Sequence, residues 1–590
     1  MTAKVTTPTL NSVEAYRLKD HLSEDAADSC LLTRRQWLGR VPMPVIAATL
    51  GAGLLEEKHV AAQTRNAASD RGASVYNIRD HGAKGDGIAL DTAALQSAID
   101  ACHNDDGGTV LVPAGTFLIG TVEIKSNVTL HITAAGKLLG SADGKQYHPV
   151  DAIPQHGDST LEDGNWALLF AVNAKNVTIE GPGAVDGQGM QFHSPVHGTP
   201  PPSGIGGSKR PYHLLCYRCE NLTVRNIDML ESAYHSIRVI QCKRVHMESI
   251  YIHNRVNGNN DGFHFISCEY VTVSNCIIKS QDDACALFGS CKYITITNSS
   301  FSTRWSVFRF GGGVAENITV SNCVLYQVYG CPIKFHGSPG SRFENISFSN
   351  LILDDVTGPI HISIGPSNRQ TSDDAAVEPA KAAAVGRNIS FSNIHGTVTT
   401  NPSPLPDFPF QSGYRPGEGH SCITLNCIGN AILENISFDN IHLTFGGGGT
   451  AEEAERRDLP QIAGEYFMLG PMPAYGFYAR NARGITLQNM RFQVSEPDLR
   501  PAVIFDHVDD AAVSGLNVQG NPQAESVLRF IDSKHALLTA TRLLTPATTF
   551  LQLEGAENEA IAIDGGDFSK AATMLAFKNG VAKNAVKVRD

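Results

Sequence analysis

The 590-residue chain predicts an all-β solenoid, and three observations carry that reading. Short apolar-alternating strands recur as GFHFIS, ACALFG, SVFRFG and PIKFHG between Gly262 and Gly337. Each is followed by a second strand ending on an asparagine turn: YVTVSN, YITITN, NITVSN and NISFSN. These start at Tyr270, Tyr293, Asn317 and Asn345, in steps of 23, 24 and 28 residues, with no helical pattern between them. A strand-only period in the twenties is the signature of stacked rungs, each burying its apolar face against the next. Residues one period apart then stand about 4.8 Å apart.

The N-terminus reads as an export leader. Thr33-Arg34-Arg35-Gln36-Trp37-Leu38-Gly39 resembles a twin-arginine motif, an apolar segment runs from Val41 to Leu55, and Val60-Ala61-Ala62 supplies small residues for cleavage. Residues 1–65 are therefore expected to be a twin-arginine signal peptide and disordered leader, and the mature protein to be periplasmic or secreted. The solenoid is expected over 70–590.

Within it, Val75-Tyr76-Asn77-Ile78 and HGAKGDGIALDT open the first coil. Asp91 is placed to cap a helix whose apolar face is Leu95, Ala98, Ile99 and Cys102, a lid for the open first rung. GTVLVPAG and SNVTLHITAAGKLLGS follow, then rungs from Asn176, Asn221 and Arg244, the central four, and later ones from Asn388, Asn435 and Gly484. Weaker repeats begin near Ala511, Ala536 and Ala560. The Asn-x-Ser/Thr triplets read as turn asparagines in left-handed backbone rather than as glycosylation sites. Cys268, Cys276, Cys285, Cys291, Cys323 and Cys331 fall at rung-like spacing, which suits thiols stacked in the interior better than bridges.

Insertions rich in Gly, Pro and Ser break the period at about 191–210, 366–387, 401–420 and 445–475. Loops grafted on a rigid scaffold usually build its binding site, so these are expected to wall a cleft.

Composition narrows what that cleft binds. A formal charge of −12 and a pI near 5.9 argue against nucleic acid, whose phosphates need a basic face. No apolar run reaches the roughly 18 residues of a membrane span, so no membrane association is expected after leader removal. Neither a cofactor nor a metal site is expected, and the protein is read as a monomer.

Asp261 and the pair Asp282–Asp283 stand 21 residues apart, about one rung, so three carboxylates should crowd one face. Alternation turns Phe263, Phe308, Phe310, Ile333 and Phe335 inward and Arg238, His264, Arg309, Lys334, His336 and His361 outward. This basic stripe around the aspartates fits an extended acidic polymer such as a uronic-acid chain; the alternative is that it merely neutralises them. Three carboxylates in one cleft cannot all ionise cheaply, and one protonated beside one ionised carboxyl is what glycosidic acid/base cleavage requires.

From VYNIRDHGAKGDGIALDT, GGTVLVPAGTFLIGTVEIKSNVTLHI, GPGAVDGQG, Arg210-Pro211, NNDG and QDD, the chain resembles glycoside hydrolase family 28, the polygalacturonase family, over about residues 75–365. The resemblance implies a single-stranded right-handed parallel β-helix and an inverting hydrolase of pectin-type polysaccharide. In that reading Asp282 is the general acid, and Asp261 and Asp283 activate water. Two family elements are changed. Thr303-Arg304-Trp305 stands where Gly-His-Gly is expected, and Pro332-Ile333-Lys334 keeps only the lysine of Arg-Ile-Lys. Arg304, Arg309 and His336 are the residues available to replace them. A polysaccharide lyase using calcium and Arg309, or a non-catalytic carbohydrate-binding solenoid, are the competing readings.

Overall fold

The computed structural model describes residues 74–153, 164–194, 199–366, 382–405, 407, 414–415 and 417–589. The expected leader, with Arg34 and Arg35, lies outside them. So do residues 367–381 of one expected insertion and much of 401–420.

The described chain is a right-handed parallel β-helix. One sheet stacks 15 strands in strict chain order, from Val122–Glu123 to Ala571–Lys578, one strand per rung. The remaining strands merge into a 27-stranded sheet that wraps the other sides. Every pairing between these strands is parallel, and the register follows the sequence period: Phe263 pairs with Cys285, Cys285 with Phe308, Phe308 with Ile333, and Ile333 with Ile360.

Inward positions make one continuous core. Phe263, Phe308, Phe310, Ile333 and Phe335 are fully buried in it. Phe310 stacks on Phe335 with ring centroids 4.3 Å apart, and Phe348, Phe391 and Phe438 stack at 5.3 and 4.8 Å. Each such ring contributes about 1.5–3 kcal/mol by leaving water. All twelve cysteines among the described residues are buried, and none is in a disulfide.

The turn asparagines behave as their chemistry suggests. Asn317, Asn345, Asn388 and Asn435 all have φ between 54° and 58°. Their side chains form a ladder, with Nδ2 of each donating to Oδ1 of the one below at 3.2, 3.1 and 3.4 Å.

The helix Thr92–Asn104 buries Leu95, Ala98, Ile99 and Cys102 against the first coils. The expected cap does not form. Asp91 makes no side-chain bond to the helix; its carboxylate accepts from Lys84 N and Gly85 N, tying the GDG turn to the helix start instead.

The insertions concentrate at one corner. Those near 191–210, 401–420 and 445–475 all enter strands of the 15-strand sheet (Tyr212–Tyr217, Ile423–Cys427 and Phe477–Arg480), at the corner that also carries Asp261 and Asp282. The insertion near 366–387 instead follows Ile360–Ile364, at that sheet's exit. Ala451–Glu455 in the last insertion is a short helix closed by a Thr450/Glu453 capping box, so this segment is built rather than irregular.

Candidate active site

A tight turn, Val256 to Gly262, presents Asp261. The side chain of Asn260 holds it: Oδ1 accepts from Val256 N and Asn257 N at 2.9 and 2.6 Å, and Nδ2 donates to Ser232 O and Tyr234 O. Gly262 is needed here, since a Cβ would sit 2.4 Å from Ala284 O on the next rung. Its N–H donates to Asp283 O, which places Asp283 directly over Asp261. Asp282 is beside it, half-buried, with Oδ1 accepting from Asp283 N at 2.9 Å and Oδ2 3.5 Å from Asn259 Nδ2. The three carboxylates thus meet at one corner, as their spacing implies.

Each has a different environment. Burial, then the charge on Asp283, pushes the Asp282 carboxyl up to about 7 against the pull of Arg309 and Lys334. Burial, then Asp282 and Asp283, likewise holds Asp261 far above the usual carboxylate range. Asp283 is ion-paired: Arg309 Nη1 donates to its Oδ2 at 2.9 Å.

Asp261 also faces two histidines. Its Oδ2 lies 3.2 Å from His264 Nδ1 and 3.6 Å from His235 Nδ1. The two imidazoles stack with centroids 4.9 Å apart and Nδ1 atoms 3.0 Å apart. Burial, then the Arg238 guanidinium, depresses both histidines well below their ordinary pKa. Among the described residues, His235, Asp261 and His264 offer three ligand atoms close enough for one cation. Arg238 Nη1, however, is 3.2 Å from His235 Nδ1, where it occupies that lone pair and repels a positive ion.

The expected cationic stripe exists as a ladder. Arg238 pairs with His264, Ala286 with Arg309, Arg309 with Lys334, and Lys334 with His361, while His336 pairs with Ser363 two residues along. Its expected openness is corrected. Arg238, Lys334 and His361 are each only 1% exposed, and His264 and Arg304 are buried as well. The segment Leu459–Tyr466 of the last insertion lies across the ladder. Ala463 O meets His336 Nε2 at 3.2 Å, Gly464 O meets His361 Nε2 at 3.1 Å, and Glu465 Oε2 accepts from Lys334 Nζ at 2.7 Å. Glu465 Oε1 also reaches Arg309 Nη2 at 3.6 Å. Burial favours the neutral acid at Glu465, but Lys334 and Arg309 outweigh it and hold the carboxyl well below its usual range. Burial lowers His336 and His361 in turn, the latter to about 4.

Arg304, at the altered family position, pairs with Glu418 at 3.1 Å, donates to Tyr329 O, and lies 4.3 Å from the Tyr414 ring. Trp305 beside it is half-buried, with Arg415 5.0 Å and Lys334 Nζ 5.6 Å from its ring and Phe467 at 5.9 Å. Arg210 donates to Gly258 O and Asn259 Oδ1, steadying the turn that carries Asp261.

Sequence reasoning missed His235, Glu418 and Glu465. His235 lies three residues before Arg238, ahead of the strand Ile237–Ile240 and out of phase with its alternation, and the two glutamates sit in insertions without a period.

The model of Glycosyl hydrolases family 28 matches residues 102–405. A polygalacturonase of Malus domestica is 26% identical over 395 residues, covering 64% of this chain and 76% of that protein. Among solved structures, a family 28 exopolygalacturonase of Yersinia enterocolitica superposes with a TM-score of 0.53 at 18% identity, over 74% of this chain and 78% of that one. A hyperthermoactive exopolygalacturonase of Thermotoga maritima gives 0.52 at 20% identity, over 63% and 87%.

Proposed function

Since the chain belongs to glycosyl hydrolases family 28 and is a glycoside hydrolase, we propose that it hydrolyses glycosidic bonds in a pectin-type polysaccharide with inversion. Asp282 protonates the leaving oxygen, and Asp283 with Asp261 activates the attacking water. One observation carries this reading. Two neighbouring carboxyls at one corner have different surroundings: that of Asp282 is raised to about 7, and Asp283 meets the Arg309 guanidinium at 2.9 Å. That is the division of labour acid/base cleavage needs. Asp283 takes the water's proton as Asp282 gives up its own, and Asp261, whose carboxyl is held high beside two neutral imidazoles, orients that water by hydrogen bonding.

The lyase reading loses support at Arg309. A base must shed its proton. Burial would help, but Asp283 and Glu465 outweigh it and raise the guanidinium further above its usual pKa. Export by the twin-arginine route, with action outside the cytoplasm, belongs to the same proposal, since pectin-type polymers are too large to enter a cell.

The test is a polysaccharide screen with the purified mature protein. New reducing ends without unsaturated product, lost in Asp282→Asn, are expected. Absorbance near 230 nm from an unsaturated uronide would replace the hydrolase with a lyase.

A further inference from the structure

We infer that Arg415 is the specificity-determining cation of this site: its guanidinium receives the carboxylate of a free uronate ring next to the bond that is cut. The inference rests on the hydrolase reading above, whose aspartates define where that bond lies.

Trp305 ties Arg415 to the catalytic corner. Thr303 Oγ1 donates to Asp282 O at 2.6 Å and accepts from Trp305 N at 3.0 Å, and Ser306 N donates to Asp283 Oδ1 at 3.3 Å. The Trp305 backbone therefore stands one rung, about 4.8 Å, beyond the two aspartates. The Arg415 guanidinium lies 5.0 Å from the Trp305 ring and 4.2 Å from that of Phe467.

The charges around the indole leave Arg415 over. Arg304 pairs with Glu418, while Lys334 and Arg309 share Glu465 and Asp283. Those three cations are matched by three carboxylates, and Arg415 is the fourth cation. Glu418 feels its charge, but that carboxylate is buried and held by Arg304 at 3.1 Å. Among the described residues Arg415 has neither a carboxylate partner nor a side-chain hydrogen bond. It is also exposed, where Lys334 and Arg304 are buried, so a ligand reaches it without displacing the segment that carries Glu465.

The two rings prepare this cation for an anion. A guanidinium held by aromatic faces keeps its five N–H donors, and their planar fork matches a carboxylate. Trp305 and Phe467 also restrain the side chain before a ligand arrives, which lowers the ordering cost of binding. An esterified or neutral ring brings no charge to this cation and only weaker acceptors to its donors.

The experiment measures binding calorimetrically to the mature Asp282→Asn protein, so that no turnover is needed. The probes are trigalacturonate and its fully methyl-esterified form, which share backbone and linkage. Trigalacturonate is expected to bind at least about tenfold more tightly. Adding Arg415→Met, which keeps an apolar stem against Phe467, should weaken trigalacturonate by about tenfold or more and the ester by less than about twofold. The same change should flatten the salt dependence of trigalacturonate binding. Arg415→Lys should recover part of the loss, because it keeps the charge without the fork. An equal loss for both probes would make Arg415 a packing residue and overturns the inference while leaving the hydrolase reading intact. So does no loss for either probe, a preference for the ester, or binding of neither. Turnover by Asp282→Asn on any polymer the wild type cuts removes the catalytic reading and not the charge preference.

Discussion

Lys334 Nζ stands 2.7 Å from Glu465 Oε2, although 131 residues separate them in the chain. The lysine comes from a core rung and the glutamate from an insertion laid across it, so one ion pair fastens the cover to the scaffold. Breaking one side of a buried pair leaves the other uncompensated. Lys334→Met is expected to lose about 3 kcal/mol, the low end for such pairs, because Glu465 keeps Arg309 nearby. Adding Glu465→Gln should restore most of it. Urea unfolding of the single and double variants measures the coupling; additive effects would show that the pair contributes nothing.

The raised Asp282 sets two pH dependences. For activity, the acid must hold its proton, so kcat should fall as pH rises through about 7. For stability the sign follows from proton uptake. The folded state binds the proton up to about 7, while the unfolded carboxyl releases it near its ordinary 3.8. The folded form therefore loses stability as pH rises from about 4 to about 7. Asp282→Asn should lower turnover by ~10²–10⁴-fold and make that part of the stability profile shallower, Asp261 keeping its own share of the slope. Full turnover in this variant would exclude Asp282 as the acid.

Much of this was legible in the sequence because the repeat does the folding. A period in the twenties, alternation, and asparagines at fixed offsets were enough to place Phe308 inside, Arg309 outside and Asp261 about one rung from the Asp282–Asp283 pair. What stayed hidden is what repeats cannot encode. Glu465 and Glu418 lie in segments with no period, so nothing in the sequence shows that they fold back onto Lys334, Arg309 and Arg304. The stripe therefore read as lining an open cleft when it is covered, and of its two readings, substrate binding or neutralising the aspartates, the Arg309–Asp283 pair follows the second. Asp91 misled for a similar reason: a helix-cap residue at the right offset bonds to Lys84 N and Gly85 N, partners that only the folded GDG turn supplies.

The asparagine ladder can be tested apart from the site. Asn388 has a φ of 54°, donates to Asn345 at 3.1 Å and accepts from Asn435 at 3.4 Å. Asn388→Ala loses both bonds and keeps a Cβ in left-handed backbone, and should cost about 1–2 kcal/mol. Asn388→Gly loses the bonds alone and should cost less. Equal unfolding midpoints for the two would show that backbone conformation is not what the asparagine supplies.

Replacing Arg34 and Arg35 by lysine should strand the precursor in the cytoplasm, since a twin-arginine receptor reads the paired guanidinium groups. Fractionation of cells followed by immunoblotting measures it. An unchanged yield outside the cytoplasm would mean that another signal directs export.

Arg309 distinguishes the two meanings of the cationic ladder. As a uronate-binding group, its loss would raise KM, spare kcat and matter less at high salt. As the partner of Asp283 and Glu465, its loss leaves one buried and one half-buried carboxylate uncompensated and the catalytic pair without its counter-charge. Arg309→Met is then expected to lower kcat at least tenfold, to change KM little, and to do so equally at low and high salt. Arg309→Lys should recover part of the loss, because one ammonium can still reach Asp283 but cannot hold both acids at once. A loss confined to KM and abolished by salt would instead make Arg309 a substrate-binding cation, and would require Glu465 to release it when the polysaccharide enters.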